Sequence, residues 1–153
     1  MDIGCGFGYF LFVCKQLGCE VAGMDFSVGN DPETKCYSDM IDMFVLKRIM
    51  HQIVKYEKLP LPEKKFDLIT AFQICFNLHN SSERWEKEEW QFFLSDLKTY
   101  LKPDGKIYLQ FNRRDDDQSF CSDSLKEYFI GHGAEVLKKG QVVFFNSTEG
   151  LSG

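Results

Sequence analysis

The chain begins MDIGCGFGYF, in which three glycines alternate with other residues directly after a short apolar stretch. Glycine adopts backbone conformations that other residues avoid, and it allows the backbone to approach a ligand closely. Apolar side chains at helical spacing follow from Tyr9 to Leu17, and Gly18 stands where a helix C-cap belongs. This order predicts a strand end, a ligand-binding glycine loop and a helix, and it restricts the fold to one whose sheet aims the loop at a ligand.

Strand-like and helix-like segments alternate along the rest of the chain. Apolar runs predict strands at 20–24, 48–56, 66–72 and 106–112, while helical spacing predicts helices that end near residue 45 and that span 83–101 and 122–130. Asn80 and Glu83 form a plausible capping pair for the longest helix, and the sequence KPDG marks its exit. The alternation predicts an α/β fold with a doubly wound, mostly parallel sheet.

The last stretch, EVLKKGQVVFFN, predicts two further strands around Lys139 and Gly140. These strands are too close in sequence to hold a crossover helix, so they must pair as an antiparallel C-terminal hairpin. At 153 residues the chain has the length of one domain, which we predict over residues 1–148, followed by a flexible tail at 149–153.

The charge balance argues against a nucleic-acid partner. The formal net charge is −5, and no run of lysine and arginine is longer than a pair. No apolar stretch is long enough to span a membrane, so no membrane partner is expected either. The six cysteines have neither paired nor metal-type spacing, which favours reduced thiols in a cytoplasmic protein without a metal site.

An acid at the tip of the second predicted strand indicates the type of ligand. Asp25 follows the glycine loop at a distance suited to accept hydrogen bonds from two ribose hydroxyls, which predicts a nucleoside-bearing cofactor. A dinucleotide fingerprint places its third glycine where this chain has Tyr9, so NAD and FAD are disfavoured.

The pattern DIGCGFG, followed by this acid, resembles the cofactor-binding motifs of class I S-adenosylmethionine-dependent methyltransferases. The stretch LPLPEKKFDLITAFQICFN resembles the loop and fourth strand of that family, and LKPDGKIYLQFN resembles the approach to its fifth strand. The resemblance covers nearly the whole chain. It implies a Rossmann-like fold, S-adenosylmethionine as cofactor and direct in-line methyl transfer.

The same resemblance implies roles for individual positions. The loop residues and Asp2 would hold the methionyl group, Asp25 the ribose and Phe26 the adenine, while Phe72 and Gln73 would border the transferred methyl. A further acid that binds the adenine falls at Lys55 in this chain, where Glu57 is the nearest carboxylate. The implied cofactor-binding residues are Asp2, Gly4, Cys5, Gly6, Gly8, Asp25, Phe26, Phe72 and Gln73.

The sequence gives fewer indications of which residues contact the methyl acceptor. His79 is the candidate general base, Asn77 is a candidate for orienting the acceptor, and Arg113 for meeting an anionic substrate. The alternatives are that His79 is an exposed loop histidine and that Arg113 and Arg114 are neutralised by the acidic run that follows them. The motif of amino-group methyltransferases is missing after the fourth strand, so a small-molecule acceptor is expected.

A second hypothesis is a truncated, non-catalytic methyltransferase-like remnant that acts, if at all, through protein contacts. Only Met1, Asp2 and Ile3 stand for the first strand, and the helices that cover the cofactor in the family have no counterpart here. A short central strand leaves its neighbours without hydrogen-bond partners, which predicts low stability.

Overall fold

The computed structural model describes residues 1–26, 32–63, 65–74, 84–114 and 117–151. The strands and helices follow one another in the alternating order that the sequence predicts. They are β1 (Asp2–Ile3), α1 (Tyr9–Gln16), β2 (Gly23–Asp25), α2 (Pro32–Met43), β3 (Arg48–Met50), β4 (Phe66–Ile74), α3 (Lys87–Tyr100), β5 (Leu101–Phe111), α4 (Asp123–Gly131), β6 (Glu135–Leu137), a 3-10 turn (Lys138–Gly140) and β7 (Val142–Phe145). The chain divides into two compact units, residues 1–52 and residues 53–153.

In the described residues of the N-terminal unit, three parallel strands lie in the order β3-β2-β1. Helix α1 connects β1 to β2 and helix α2 connects β2 to β3, so each connection is a crossover between parallel strands. Cys5, Leu11 and Ile41 form its buried apolar cluster. Gly23 allows β2 to pack closely here, since a Cβ at this position would lie 2.6 Å from the Cys5 sulfur.

The part of the C-terminal unit that the structure describes has four strands in the order β4-β5-β7-β6. Strands β4 and β5 are parallel, whereas β7 runs antiparallel to both β5 and β6. The parallel strands and the antiparallel C-terminal pair confirm the predicted fold class. Helix α4 begins after Ser122, whose hydroxyl accepts a hydrogen bond from the Leu125 backbone N–H as an N-cap.

Aromatic rings dominate the core of this C-terminal unit. The ring of Trp90 lies edge-on to those of Trp85, Phe111 and Phe129, with centroids 5.3 to 5.4 Å apart. Edge-to-face pairs of this kind contribute ~0.5–1.5 kcal/mol each beyond the burial of their area. The two tryptophans therefore pack together in the core of this unit.

A buried polar cluster joins helix α3 to the loop that precedes β4. The backbone N–H of Leu59 donates a 2.8 Å hydrogen bond to the Asp96 carboxylate, which is 4% exposed as a residue. The Tyr100 hydroxyl lies 2.6 Å from the Leu59 carbonyl oxygen and 2.9 Å from Asp96 Oδ1, so these two acceptors share its proton. Burial, together with the Asp96 carboxylate, raises the pKa of Tyr100 to about 12.

Several element boundaries differ from the predicted ones. Strand β3 ends at Met50 rather than continuing to residue 56, and β5 begins directly after α3, so KPDG belongs to the strand. Asn80 and Glu83 lie outside the described residues. Glu86 and Glu89 supply the capping box of α3, in which the Glu89 carboxylate accepts from the Glu86 backbone N–H at 2.8 Å.

The C-terminal residues are packed as far as the structure describes them. Leu151, which we placed in a flexible tail, is buried, and its carbonyl oxygen accepts a 2.5 Å hydrogen bond from Lys98 Nζ. The tail interpretation is wrong for this residue because an apolar side chain and a charge-assisted bond hold it. The single domain over residues 1–148 stays a prediction. Among the described residues, no helix is long and apolar enough to cross a membrane.

Candidate functional site

The glycine loop is fixed to the neighbouring strand β2 by its backbone. The N–H groups of Gly4 and Cys5 both donate to the Met24 carbonyl oxygen, at 2.8 and 3.1 Å. Gly4, Gly6 and Gly8 have φ angles of 69°, 50° and 75°. Only glycine adopts this left-handed region without strain, which explains the alternating glycines of the sequence.

Gly6 and Gly8 differ in what surrounds them. A Cβ on Gly8 would lie 2.6 Å from the Ile41 Cδ1, so this glycine is also required for packing against α2. A Cβ on Gly6 would meet no atom of the described residues within 4 Å. Gly8 is the N-cap of α1 and makes no side-chain cap hydrogen bond. The loop thus combines open space with backbone donors.

Asp25 lies at the tip of β2 and binds the same loop. Its Oδ2 accepts a 2.6 Å hydrogen bond from the Gly6 backbone N–H, and its Oδ1 accepts a 2.7 Å hydrogen bond from the Phe26 N–H. A carboxylate has about four lone-pair sites, so each oxygen retains room for another donor. The residues of this unit therefore fit a ligand with hydroxyl donors, such as a ribose. Phe26, the candidate adenine contact, is 46% exposed.

Cys5 contributes its backbone to the loop rather than a reactive sulfur. Burial, followed by the negative charges of Asp25 and Asp2, raises the pKa of the Cys5 thiol to about 12. A thiol with this pKa stays protonated near neutral pH, which makes it a poor nucleophile. Asp2 is 3% exposed and donates its backbone N–H to the Ala22 carbonyl oxygen.

His51 is a candidate site residue that the sequence reasoning missed. It directly follows β3, and its backbone N–H donates a 2.9 Å hydrogen bond to the Asp25 carbonyl oxygen. Its ring nitrogen Nε2 is buried and has no hydrogen-bond partner among the described residues. The carboxyl end of β3 is the sequence signal that would have identified His51. The strand predicted at 48–56 was too long, so its end was placed further along the chain.

Lys55 occupies the position at which the resemblance places a further acid that binds the adenine. Its Nζ donates a 2.9 Å hydrogen bond to the Arg84 carbonyl oxygen and lies 3.5 Å from a Glu89 carboxylate oxygen. These contacts hold the Lys55 side chain against the start of α3. Glu57, the nearest carboxylate to this position, donates its backbone N–H to the Val54 carbonyl oxygen within a turn.

Phe72 and Gln73 lie near the end of β4 in the C-terminal unit. The Phe72 ring packs on the Tyr108 ring of β5, with centroids 5.3 Å apart. Gln73 has a left-handed φ of 54°, and its carbonyl oxygen accepts a 2.5 Å hydrogen bond from Asn112 Nδ2. Among the acceptor-side candidates, Asn77 and His79 lie outside the described residues.

The two arginines after β5 have different environments. Arg114 forms an ion pair with Asp117, with an N–O distance of 3.2 Å, as the self-neutralising interpretation expects. Arg113 is exposed, and its guanidinium carbon lies 5.4 Å from the centre of the Phe120 ring. The Phe120 ring therefore orients the Arg113 guanidinium through a cation–π contact.

Comparison with known proteins identifies the family. The methyltransferase-domain family model matches residues 1–109. Similar curated proteins are the tRNA U34 carboxymethyltransferases of Campylobacter hominis, 25% identical over 122 residues, and Sulfurimonas denitrificans, 26% identical over 129 residues. The matches cover 78% and 83% of this chain, and 38% and 39% of those proteins. The chain thus spans about two fifths of the length of these relatives.

These relatives overturn the expectation about partners. Their names specify tRNA, so the exclusion of nucleic acid and the expectation of a small-molecule acceptor are wrong. The error came from using net charge, because an average over all 153 residues does not describe the few side chains that contact a substrate.

Solved structures show the same fold. A TehB-like S-adenosylmethionine-dependent methyltransferase from Corynebacterium glutamicum aligns with a TM-score of 0.59 and 17% identity, covering 95% of this chain and 78% of that chain. An S-adenosylmethionine-dependent methyltransferase from Aquifex aeolicus aligns with a TM-score of 0.54 and 21% identity, covering 94% and 77%. The chain therefore belongs to the methyltransferase-domain family, and it shares the fold of these S-adenosylmethionine-dependent methyltransferases.

Proposed function

We propose that this chain binds S-adenosylmethionine through its glycine loop and Asp25 and transfers the methyl group to a base of transfer RNA. The hydrogen bond between the Gly6 N–H and the Asp25 carboxylate carries the binding part of the proposal. It brings together the glycine loop and the acid at the tip of β2, the two features from which a nucleoside-bearing cofactor was predicted. The tRNA part comes from the names of the curated relatives.

The proposed cofactor site has three parts in the N-terminal unit. The open space beside Gly6 accommodates the methionyl end, and the remaining lone pairs of Asp25 accept from the ribose hydroxyls. His51 supplies a hydrogen bond to the nucleoside through Nε2, the buried nitrogen without a partner among the described residues. A buried polar atom without a partner costs ~1–3 kcal/mol, so a ligand that satisfies it gains affinity.

The sulfonium of the bound cofactor makes its methyl carbon electrophilic. The remaining task of the chain is to orient the acceptor, and orientation alone supplies ~7–11 kcal/mol of a transfer barrier. We assign Phe72 and Gln73 to the cofactor, Asn77 to orienting the acceptor and His79 to removing a proton when the acceptor arrives protonated.

Arg113 is the proposed contact for the RNA. Single-stranded bases stack on planar guanidinium groups, and a guanidinium also pairs with phosphates. The Phe120 ring holds Arg113 without neutralising it, whereas Asp117 neutralises its neighbour Arg114. This difference favours Arg113 over Arg114 as the substrate residue.

Calorimetric titration with S-adenosylhomocysteine tests cofactor binding. The folded chain is expected to bind it, and Asp25→Ala is expected to weaken binding by roughly 10- to 100-fold, the range for a hydrogen bond to a charged group. Asp67→Ala is the matched control, because this exposed aspartate belongs to the C-terminal unit and pairs with Lys102. A folded chain that binds no S-adenosylhomocysteine would instead support the non-catalytic alternative.

Transfer of radiolabelled methyl groups from S-adenosylmethionine to bulk tRNA tests the acceptor. The expected result is label in tRNA and none in a DNA duplex of similar length, with Arg113→Ala reducing tRNA labelling and Arg114→Ala reducing it less. Mass spectrometry of the digested tRNA then identifies the modified base. Cofactor binding without labelling of tRNA would reject the acceptor while leaving the cofactor site intact.

A further inference from the structure

Two adjacent lysines occupy the turn between β6 and β7. Lys138 and Lys139 are exposed, and their φ angles are 50° and 59°. This left-handed region favours glycine and, less often, asparagine or aspartate, so lysine is strained at both positions. Strained backbone is concentrated at functional sites. The turn therefore keeps two long cationic side chains where smaller residues would fit with less strain.

The turn lies at the edge of the sheet where the parallel strands end. Strand β7 runs antiparallel to β5, so the first residues of β7 lie beside the last residues of β5. The Phe111 N–H, at the end of β5, donates a 2.8 Å hydrogen bond to the carbonyl oxygen of Gln141, which directly follows the turn. Arg113 follows β5 at the same edge. This is the edge at which α/β sheets bind ligands.

Gly140 fixes the turn against the segment that contacts Arg113. A Cβ on Gly140 would lie 2.9 Å from the Cys121 sulfur and 2.8 Å from Lys126 Cε, so the turn packs closely here. The Cys121 thiol donates a 3.6 Å hydrogen bond to the Gly140 carbonyl oxygen. Cys121 directly follows Phe120, whose ring contacts the Arg113 guanidinium. The turn and Arg113 are therefore connected through packed residues of the C-terminal unit.

Three cations form what we call the basic edge: Arg113, Lys138 and Lys139. No ion pair joins any of them to an acid within the described part of the chain. Arg114 and Lys126, by contrast, each pair with an aspartate. An RNA strand carries a phosphate at every nucleotide, and a lysine that neutralises a phosphate releases a bound counterion, which favours binding. The basic edge therefore suits an RNA backbone.

We infer that Lys138 and Lys139 bind phosphates of the RNA substrate, at the edge of the C-terminal unit that also carries Arg113. This assignment rests on the proposed function, which makes tRNA the acceptor. It adds the residues that hold the RNA backbone, a contact that positions a nucleic acid without reading its sequence.

Binding of fluorescently labelled bulk tRNA, measured by anisotropy over a range of salt concentrations, tests this role. The turn variant, Lys138→Asn with Lys139→Gly, removes both charges and supplies residues that suit the left-handed backbone. We expect it to bind tRNA roughly tenfold more weakly at low salt, and its plot of log affinity against log salt to be shallower by about 2, one for each phosphate contact. Its melting temperature is expected to rise, because the strain is relieved.

The variant Lys65→Ala with Lys102→Ala is the matched control. It also removes two exposed lysines of the C-terminal unit, but Lys65 directly precedes β4 and Lys102 lies at the start of β5, so both are at the opposite edge of the sheet. We expect the control to change tRNA affinity less than twofold and to keep the wild-type salt dependence. Because both variants remove two positive charges, a difference between them depends on position rather than on total charge.

Acetylation of the wild-type chain with and without bulk tRNA is a second measurement, and it requires no substitution. Lysine amines that contact phosphate are expected to react more slowly in the complex, as mass spectrometry of the digested protein measures. Protection is expected at Lys138 and Lys139 and not at Lys65.

Unchanged tRNA binding by the turn variant would overturn the inference, as would equal losses in the turn variant and the control. Weaker binding together with a lower melting temperature would also overturn it, because the lysines would then have a structural role. Failure of the proposed function is distinguishable from these outcomes, since the folded wild-type chain would then bind no tRNA. In that case the phosphate contact fails too.

Discussion

The backbone N–H of Gly6 donates a 2.6 Å hydrogen bond to Oδ2 of Asp25, 19 residues further along the chain. One carboxylate therefore fixes the glycine loop and remains able to accept from a ligand. Because the loop is held before a ligand arrives, binding costs less conformational entropy than ordering a free loop would.

Alanine substitutions at Gly6 and Gly8 separate backbone strain from steric packing. Both residues have positive φ, so each alanine is expected to cost ~1–2 kcal/mol of unfolding free energy through strain. Gly8→Ala is expected to cost more, because its Cβ would lie 2.6 Å from Ile41 Cδ1 and 2.7 Å from Leu46 Cδ1. Urea denaturation measures both, and an equal loss in the two variants would contradict the packing argument.

His51→Phe tests the buried ring nitrogen. Phenylalanine has a similar shape and removes a polar atom that has no partner among the described residues, so the unliganded protein is expected to keep or gain stability. Binding of S-adenosylhomocysteine is expected to weaken by roughly tenfold, the value of one hydrogen bond. Thermal unfolding and calorimetric titration measure the two effects. A variant that is less stable and binds equally well would assign His51 a structural role.

The cluster around Tyr100 predicts a loss of stability at high pH. Its pKa is raised from the ordinary value of 10.0 to about 12 in the folded chain, so folding favours the protonated hydroxyl. This contribution is complete below pH 10 and is lost as the pH rises towards 12. Urea denaturation of the wild type and Tyr100→Phe across this window measures the contribution. The gap in stability between the two proteins is expected to narrow with rising pH, and a constant gap would contradict the raised pKa.

The cysteines are expected to react with iodoacetamide in a definite order. Cys19 is exposed, whereas Cys5 is buried with its pKa raised to about 12. Because the thiolate is the reactive form, native protein at pH 8 is expected to label Cys19 rapidly and Cys5 only on unfolding. Peptide mass spectrometry over a time course gives both rates, and rapid labelling of native Cys5 would show that the glycine loop opens.

The glycine loop, helix α1 and the antiparallel end of the sheet were predictable because local rules determine them. Three left-handed glycines precede a helix that begins at Tyr9, as the alternation predicts. The short link between β6 and β7 leaves no room for a crossover, so its direction follows from chain length alone.

The boundary of β3 was not predictable from its own residues. The apolar pattern after Met50 looks like a strand, but Tyr56 packs its ring against Phe92 of α3, with centroids 5.8 Å apart. Tyr56 therefore takes part in a contact with helix α3, which the local spacing of apolar residues does not specify. This one error concealed His51, because a strand drawn too long moves the ligand-binding edge away from it.

The left-handed conformation of Gln73 was likewise invisible in the sequence. Glutamine has no preference for the left-handed conformation, and the partner that holds it, Asn112, belongs to another strand end. Tertiary contacts of this kind carry no local sequence signal.

The aromatic core of the C-terminal unit makes the chain's fluorescence selective. The chain has two tryptophans, Trp85 and Trp90, and their rings lie together within residues 53–153. Tryptophan emission is thus an intrinsic reporter of that unit alone, whereas residues 1–52, which include the glycine loop, are silent in this signal. Circular dichroism reports on helices of both units, so any difference between the two melting curves would reveal whether the ligand-binding loop unfolds separately from the core.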